Sequence, residues 1–465
     1  MSLHEACGVF GIYAPNEDVA RITYFGLYAL QHRGQESAGI ATTDGQSISL
    51  YSDMGLVSQV FNEEVLEQLG GEMAIGHTRY STTGSSHYAN AQPIVVPSSI
   101  GEIALAHNGN LINAAYLRSE LKTQGYVFNA TTDSEVIAQV IASAPGNTIV
   151  EKLRYAMGRL QGAYSLVVMT NDAVLGVRDP LGVRPLCMGS VNSNGSAISS
   201  ESCALDQLGF QYKHAIEPGE IVMIDRTGLQ SFPAINPTDD RALCVFEYIY
   251  FARPDSCISG RQLYPARQAM GAGLSCEHPV DADIVIGVPD SATAASVGYS
   301  QASGIPFGEG LLKSRYVGRT FIQPDQRLRD VGVRLKFSPL PGAISDKRVI
   351  VVDDSIVRGT TTPRIVELLK KAGAKEVHFR ICAPPIRYPC VFGIDMATRR
   401  ELIASQKSVP EICEWIGADS LGYLSIDGLI KAIDLPKEMF CLACFTGDYP
   451  VPIQLEMDKF VLETT

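Results

Sequence analysis

The sequence predicts two domains of different fold class, an α+β domain with an antiparallel or mixed sheet followed by an α/β domain with a parallel sheet. In the first half, apolar runs such as those within residues 163–178 follow one another without a helical pattern between them. In the second half, the near-continuous apolar runs 282–290 and 348–354 end in acidic residues, and helical patterns follow them. Such runs are typical of parallel strands that helices cover on both faces. The polar, proline-containing stretch 232–241 is the predicted linker.

Hydrophobic periodicity predicts the elements of the first domain. Short apolar runs that begin at Gly8, Ser37 and Ala163 are rich in β-forming residues and are predicted as strands. Residues 18–32 and 113–124 carry apolar side chains at helical spacing and are predicted as helices.

In the second domain the helical pattern 361–373 follows the apolar run that ends at residue 354. From about Glu401 onward the chain is predicted to be helical, and its single tryptophan, Trp415, is predicted to lie in the core.

Composition and charge exclude several function classes. The chain has 465 residues, of which 46% are hydrophobic and 19% charged, so it is predicted to be globular rather than disordered. A net charge of −12 speaks against a nucleic-acid binder, which needs a positive field. No apolar run reaches the roughly 18 residues of a membrane span. The first residues, MSLHEA, are too short and polar for a signal peptide, and the predicted location is the cytosol.

Eleven cysteines in a reducing compartment indicate core fillers, nucleophiles or metal ligands rather than a disulfide framework. Cys7 is preceded by only six residues. Their removal would place a free α-amine, with a pKa near ~8, on the residue that carries the thiol, and this amine could act as the thiol's base. The alternative for Cys7 is a small buried hydrophobic residue, and the residues alone leave both interpretations open.

The clearest candidate for phosphate binding is the segment 349–362, VIVVDDSIVRGTTT. A buried strand is followed by two adjacent carboxylates and then by a glycine- and threonine-containing loop that begins a helix, whose first N–H groups can bind a phosphate. The paired acids suit a ribose diol or a hydrated Mg2+. An ordinary strand-turn-helix with an N-cap explains the threonines but not the two acids.

Two further patterns suggest function. Residues 313–336 carry seven basic and two acidic side chains, with aromatic residues interleaved. The segment is either a solvated loop or a lid that closes over a polyanionic substrate such as pyrophosphate. Cys441 and Cys444 form a CxxC pair whose alternatives are a metal site, a redox pair or core packing, and the spacing does not choose zinc over an iron-sulfur cluster.

Across nearly its whole length the chain resembles the glutamine phosphoribosylpyrophosphate amidotransferases. The motifs similar to a class II glutamine amidotransferase are CGVFGI at Cys7, QHRGQESAGI from Gln31, GHTRYST from Gly76, AHNGN from Ala106 and TTDSEV from Thr131. Those similar to a phosphoribosyltransferase are EYIYFARPDS from Glu247, RYVGRTFIQP from Arg315 and VVDDSIVRGTT from Val351.

The resemblance implies the domain organisation. It places a leader peptide at residues 1–6 and a class II glutaminase domain, an N-terminal nucleophile hydrolase sandwich, at 7–236. A type I phosphoribosyltransferase α/β domain would occupy 237–400, and a C-terminal helical segment with cluster-binding cysteines would occupy 401–465.

The resemblance also implies the residues of the glutaminase site. Cys7 would be the nucleophile once the leader is lost, and the Asn108 side chain with the Gly109 N–H would form the oxyanion hole. The residues implied to bind glutamine are Arg33, Arg79 and Asp133, with Arg79 on its α-carboxylate and Asp133 on its α-ammonium.

Further residues are implied for the second domain. Those for phosphoribosylpyrophosphate are Asp353, Asp354, Ser355, Arg358, Gly359, Thr360, Thr361, Thr362 and Arg319. Those for one Mg2+ per subunit are Ser291, Asp353 and Asp354. Those for one 4Fe-4S cluster per subunit are Cys244, Cys390, Cys441 and Cys444. The walls of an ammonia passage would be Tyr250, Tyr316, Arg319, Phe321 and Ile322.

The implied activity is transfer of glutamine-derived ammonia to phosphoribosylpyrophosphate, giving 5-phosphoribosylamine, glutamate and pyrophosphate at the start of purine nucleotide synthesis. A homotetramer inhibited by purine nucleotides is also implied. The alternatives are a glutamine amidotransferase with another acceptor and a non-catalytic regulator that senses phosphoribosylpyrophosphate. Such a regulator would not need Cys7, Arg79, Asn108 and Asp133 together.

Overall fold

The computed structural model describes residues 7–81, 84–191, 195–234, 240–314, 337–394, 398–452 and 461–464. The leader 1–6 and four of the residues assigned above lie outside the described residues. These four are Tyr316, Arg319, Phe321 and Ile322.

The first domain is a sandwich of two antiparallel sheets, as its sequence pattern predicts. The seven-stranded sheet has the spatial order Gln211–Ala215, Cys187–Val191, Gly195–Ser199, Gly8–Tyr13, Met73–Arg79, Ser37–Thr43 and Ile48–Met54. The six-stranded sheet has the order Gly228–Phe232, Ile221–Asp225, Ala173–Arg178, Gly162–Met169, Gly101–Leu111 and Ile94–Ser98. Side chains such as Val9 and Ile75 of one sheet pack against Ala106 and Val167 of the other, so the core lies between the sheets.

Helices cover the outer faces of the sandwich. Val19–Ala29 packs on the seven-stranded sheet, and Asp18 caps it by accepting the Arg21 N–H at 3.0 Å. Three helices share a hydrophobic core with the six-stranded sheet: Ala114–Thr123, Asp133–Ser143 and Ile149–Met157. Shorter helices of this domain are Val57–Val60, Glu63–Glu67, Tyr88–Asn90 and Ser202–Gln207.

The second domain is built on a four-stranded parallel sheet, which confirms the predicted α/β class. The strands are Ile284–Gly287, Arg348–Asp353, Glu376–Ile381 and Ser420–Tyr423, each parallel to the next. The helices are Leu263–Glu277, Thr293–Ser303, Pro341–Ile344, Thr362–Lys371, Arg399–Glu401, Ile403–Gln406, Val409–Ile416, Ile426–Ile433, Lys437–Met439 and Ala443–Thr446. The last helix of the chain, Val461–Thr464, packs instead on the first domain, beside the helix Ala114–Thr123. Leu311–Lys313 and Phe337–Pro339 form an antiparallel pair on either side of the 315–336 segment.

The C-terminal segment contributes more than the predicted helices. Its strand Ser420–Tyr423 completes the parallel sheet, so the predicted boundary at residue 400 lies inside one structural unit. This strand has four residues and contains a glycine and a serine, which leaves too short an apolar run to recognise.

Trp415 contradicts the prediction that it lies in the core, because it is 58% exposed. Its ring lies 5.3 Å from the Lys407 ammonium, and its Nε1–H donates to the Gly359 carbonyl at 3.4 Å. The size and hydrophobicity of an indole suggested burial, but here one face of the ring contacts the Lys407 ammonium at the protein surface.

The segment after the linker joins the two domains. Leu243–Cys244 pairs in parallel with Phe440–Cys441, and the turn of π-helix Glu247–Phe251 follows. The small pair Cys257–Ile258 and Arg261–Gln262 then leads into the second domain. Across the ranges given above, no helix combines the length and apolar character that crossing a membrane requires.

Candidate active sites and a four-cysteine pocket

Cys7 lies at one end of the seven-stranded sheet, directly before the strand Gly8–Tyr13. Its thiol donates to the Tyr80 carbonyl at 3.3 Å, and the Tyr80 N–H lies 3.4 Å from its sulfur. A cavity opens here, lined by Cys7, Arg79, Tyr80, Gln92, His107, Gly109, Thr132, Asp133 and Ser134. Four residues implied for the glutaminase site therefore meet around one cavity.

The electrostatics at Cys7 explain why its thiol needs a base. Burial raises the pKa of the thiol to about 11, against the lowering by the Tyr80 backbone hydrogen bond and the Arg79 charge. At neutral pH the thiol is therefore protonated, and a protonated thiol is a poor nucleophile. Burial also lowers the pKa of His107, which makes this neighbouring imidazole neutral.

Asn108 lies in the chain between His107 and Gly109, two residues that line this cavity. Its side chain is fully buried, and neither its Oδ1 nor its Nδ2 has a hydrogen-bond partner. Leaving a buried polar group unpaired costs about 1–3 kcal/mol, so it indicates a group that receives a ligand. The adjacent Gly109 has φ +150°, and a Cβ there would lie 2.0 Å from the Ala163 carbonyl, so only glycine fits.

Asp133 is held in place by the start of a buried helix. It is the first residue of Asp133–Ser143, which Thr132 caps by accepting the Glu135 N–H at 3.4 Å. Its Oδ2 accepts the Leu111 N–H at 3.0 Å, which ties the carboxylate to the strand that carries Asn108. Arg79 ends the strand Met73–Arg79 and donates to the Ser85 carbonyl at 3.2 Å.

Arg33, which the resemblance assigned to glutamine binding, is not among the residues that line the Cys7 cavity. Its guanidinium is fully buried and pairs with Glu201 and, at 2.6 Å, with Glu247. Arg184 pairs with the other oxygen of Glu247 at 3.3 Å, so these side chains form an internal chain of ion pairs between the domains. A motif alone does not distinguish a substrate-binding arginine from one that neutralises buried acids.

We expect Arg33→Met to destabilise the fold rather than weaken glutamine binding. Two buried carboxylates lose a cation, and breaking a buried pair in this way costs about 3–5 kcal/mol. The measurement is the free energy of unfolding in urea together with KM for glutamine, which should change less than about twofold. Arg21→Met is the control, since Arg21 forms ion pairs with Asp18 and Glu63 at the surface, where such pairs contribute little to stability. A stable variant with a raised KM would instead support the assignment of Arg33 to glutamine binding.

The paired acids of the second domain lie at the carboxyl end of the parallel sheet, where ligands bind in open α/β folds. Asp353 ends its strand, and Asp354 follows. The Ser291 hydroxyl donates to Asp354 Oδ2 at 2.5 Å, and the Ser355 hydroxyl donates to Oδ1 at 2.5 Å. Three residues implied for Mg2+, from two neighbouring strands, are thus adjacent.

The loop that follows Asp354 leads into the helix Thr362–Lys371. Gly359 has φ +65°, and a Cβ there would lie 2.5 Å from Ile403 Cδ1. Ser355, Thr360 and Thr361 lie in the loop and Thr362 begins the helix, as expected for a phosphate site at a helix N-terminus. Arg358 pairs with Glu401 at 2.8 Å.

All four cysteines implied for the cluster line one largely apolar cavity. Cys244 and Cys441 are opposite each other in a parallel pair, and Cys390 and Cys444 complete the set. Burial raises the pKa of Cys441 to about 12, and it also raises the pKa values of Cys244 and Cys444. Within the described ranges, no three His, Cys, Asp or Glu side chains are grouped closely enough to hold a metal ion. The four sulfurs therefore surround a space without forming a compact ligand set.

Comparisons with known proteins agree with this architecture. Residues 77–207 match the glutamine amidotransferase domain family, and residues 281–388 match the phosphoribosyl transferase domain family. The amidophosphoribosyltransferase of Synechococcus elongatus is 52% identical over 99% of this chain and 94% of its own length. The chain belongs to the amidophosphoribosyltransferase family.

Other members of the family are comparably similar. The amidophosphoribosyltransferase of Methanocaldococcus jannaschii is 51% identical, over 97% of this chain and 98% of its own. The solved glutamine phosphoribosylpyrophosphate amidotransferase of B. subtilis, in complex with ADP and GMP, is 46% identical. It superposes with a TM-score of 0.91 and covers 99% of this chain and 100% of its own. The predicted activity, that of a glutamine-dependent pentosyltransferase, is confirmed by this membership.

Tyr80 was missed by the sequence analysis although it exchanges two hydrogen bonds with Cys7. Both bonds use its backbone, so no side-chain signal could reveal them. The GHTRYST motif, which contains both Arg79 and Tyr80, was the only available indication.

Proposed function

We propose that this chain hydrolyses glutamine at Cys7 and delivers the ammonia to carbon 1 of phosphoribosylpyrophosphate, with pyrophosphate as the leaving group. The products are glutamate and 5-phosphoribosylamine. The observation that carries the proposal is the buried, unpaired carboxamide of Asn108 next to a cavity that contains Cys7, Arg79, Gly109 and Asp133. A protein that only sensed phosphoribosylpyrophosphate would gain nothing from this arrangement.

Glutamine hydrolysis begins with activation of Cys7. Cleavage of the Ala6–Cys7 bond would free the α-amine, which takes the thiol proton as the sulfur attacks the side-chain amide carbon of glutamine. Asn108 Nδ2 and the Gly109 N–H stabilise the resulting oxyanion, and each such donor is worth about 3 kcal/mol. The C–N bond then breaks and ammonia leaves with a proton from the amine. Water hydrolyses the thioester to glutamate and restores the thiol.

Arg79 and Asp133 are the proposed partners of the glutamine zwitterion. A guanidinium pairs with the α-carboxylate through two parallel hydrogen bonds, and a carboxylate accepts from the α-ammonium. Both side chains are almost fully buried, which strengthens these interactions.

In the second site, Asp353, Asp354 and Ser291 are proposed to hold Mg2+ and the ribose hydroxyls. Oxygen ligands at a carboxyl sheet edge suit this hard cation, which when bound would neutralise charge on the pyrophosphate leaving group. The loop residues Ser355, Arg358, Gly359, Thr360, Thr361 and Thr362 are the proposed binders of the 5-phosphate. Arg319 remains a predicted ligand.

The ammonia passage also remains a prediction. Free ammonia is mostly protonated at neutral pH, and an apolar conduit keeps it nucleophilic. Tyr250, the one predicted wall residue within the described ranges, is half-buried, with its ring 5.8 Å from that of Phe251.

Cys244, Cys390, Cys441 and Cys444 are the proposed ligands of one 4Fe-4S cluster. Four cysteine thiols around a cavity that also contains Val183, Phe392 and Ile394 match the donor set and the apolar enclosure of such clusters. When bound, the cluster would hold the 244, 390 and 441–444 segments together.

We expect Cys390→Ser to abolish the visible absorbance of the cluster and to lower bound iron from about four atoms per chain to below about one. The measurement is iron and sulfide content after purification without oxygen. Cys276→Ser is the matched control, since this thiol is exposed and lies outside the cavity. Full iron content in the Cys390 variant, or none in the unaltered chain, would reject the cluster.

The assembly and regulation implied by the sequence remain proposals. The B. subtilis relative was solved with ADP and GMP, which supports purine nucleotides as inhibitors here. A homotetramer in the cytosol is the proposed state.

Transfer of the amide nitrogen of glutamine can be followed with an isotope label. Glutamine carrying 15N in its amide is incubated with phosphoribosylpyrophosphate, Mg2+ and an equal concentration of unlabelled ammonium. The proposal expects most of the phosphoribosylamine to contain 15N. Product enriched only to the level of the mixed ammonium pool, or no phosphoribosylamine, would contradict direct delivery.

A further inference from the structure

The segment 390–394 lies between the four-cysteine cavity and the strand Gly101–Leu111. Its alternate residues Cys390, Phe392 and Ile394 line the cavity. The residues between them contact the strand of the glutaminase domain. The Val391 carbonyl accepts a hydrogen bond from Asn110 Nδ2 at 3.0 Å, in a buried position.

Gly393 makes the closest approach to this strand. Its φ is +97°, and a Cβ there would lie 2.9 Å from the carbonyl oxygen and 3.0 Å from the carbonyl carbon of Gly109. Both atoms belong to the backbone, so no rotamer change can relieve such a clash. Gly393 therefore allows the second domain to pack directly on the Gly109 peptide.

Gly109 also lies very close to the neighbouring strand of its own sheet. Its Cα lies so near the next strand that a Cβ there would be 2.0 Å from the Ala163 carbonyl, and the strand is paired in register with Gly162–Met169. The 390–394 segment is also anchored, since Arg184 Nη2 donates to the Phe392 carbonyl at 3.0 Å. The Gly109 backbone is thus in close contact with both domains.

We propose that Gly393 is a positioning residue for the oxyanion hole, because its missing side chain sets where the Gly109 backbone lies. The inference rests on the proposed role of the Gly109 N–H in glutamine hydrolysis. It adds that the second domain completes the geometry of the glutaminase site. Oxyanion donors act only when aimed at the developing charge, and a displacement of about 1 Å can cost roughly 10²-fold in rate.

The test is Gly393→Ala, compared with Gly304→Ala as a matched control. Gly304 also has a positive φ, +75°, but nothing lies within 4 Å of a Cβ built there, so the control carries the backbone strain without the contact. We expect kcat for glutamine hydrolysis to fall at least tenfold in the Gly393 variant, with KM for glutamine within twofold. Ammonia-dependent synthesis of phosphoribosylamine and bound iron should match those of the control.

Asn110→Ala provides a second variant in case Gly393→Ala does not fold. It removes the bond to the Val391 carbonyl without a clash, and we expect kcat for glutamine to fall about threefold with ammonia-dependent activity unchanged. Equal losses of glutamine- and ammonia-dependent activity, or kcat values equal to those of Gly304→Ala, would overturn the positioning role alone. An unaltered chain that releases no glutamate from glutamine would overturn the proposed function as well.

Discussion

Replacement of Cys7 by alanine is expected to lower glutamine-dependent phosphoribosylamine synthesis at least about 10³-fold and to leave ammonia-dependent synthesis unchanged. The thiol is the only group in its cavity proposed to bond to the substrate carbon, whereas ammonia supplied in solution needs only the second site. Both rates are measured from pyrophosphate release, with either glutamine or ammonium chloride as the nitrogen source.

Cys187→Ala is the matched control for this variant. Cys187 is also buried in the seven-stranded sheet, burial raises its pKa, and its thiol donates to the Ser199 carbonyl at 3.4 Å. It does not line the Cys7 cavity. A Cys7 variant that keeps glutamine-dependent synthesis, or one that loses both activities together, would show that Cys7 is not the nucleophile.

Replacement of Asp354 by asparagine is expected to impair synthesis with either nitrogen source and to leave glutamine hydrolysis nearly unchanged. Pyrophosphate release should fall roughly 10²-fold or more with either nitrogen source, because a charged ligand for Mg2+ and ribose is lost at the reacting end of the sheet. Glutamate release measured without phosphoribosylpyrophosphate should remain within about twofold, since the Cys7 cavity is not altered. Enzyme-coupled assays for pyrophosphate and for glutamate, on the same preparation, measure both rates.

Asp283→Asn controls for loss of a carboxylate from the same sheet. Asp283 precedes the strand Ile284–Gly287 at the amino end and pairs with Arg348 at 2.8 Å. Its replacement should leave both rates nearly unchanged, because the ion pair is partly exposed. Undiminished pyrophosphate release by the Asp354 variant would remove this residue from the proposed site.

The fold was largely predictable from the sequence because its strands carry strong periodic signals. The run 348–354 became the strand Arg348–Asp353 with parallel neighbours, and the predicted helix 113–124 was observed as Ala114–Thr123. The strand Ser420–Tyr423 was not predictable, since its four residues include Ser420 and Gly422 and give no apolar run.

The site was predictable only in part. Local motifs indicated Asp353 and Asp354 through their position after an apolar strand, whereas Asn108 and Arg79 were indicated only by resemblance. The difference between Arg33 and Arg79 depends on which acids surround each guanidinium in the fold, and Glu247 is 214 residues away from Arg33 along the chain. Likewise, the contact of Gly393 with Gly109 arises from domain packing that no local pattern encodes.

The most direct test of the account is the ratio of glutamate to pyrophosphate released from glutamine, with and without phosphoribosylpyrophosphate and Mg2+, on protein purified without oxygen. Two sites that act in one reaction predict strong stimulation of glutamate release by phosphoribosylpyrophosphate and a ratio near one. Glutamate release that is indifferent to phosphoribosylpyrophosphate, with no pyrophosphate formed, would contradict coupled transfer and leave only a glutaminase.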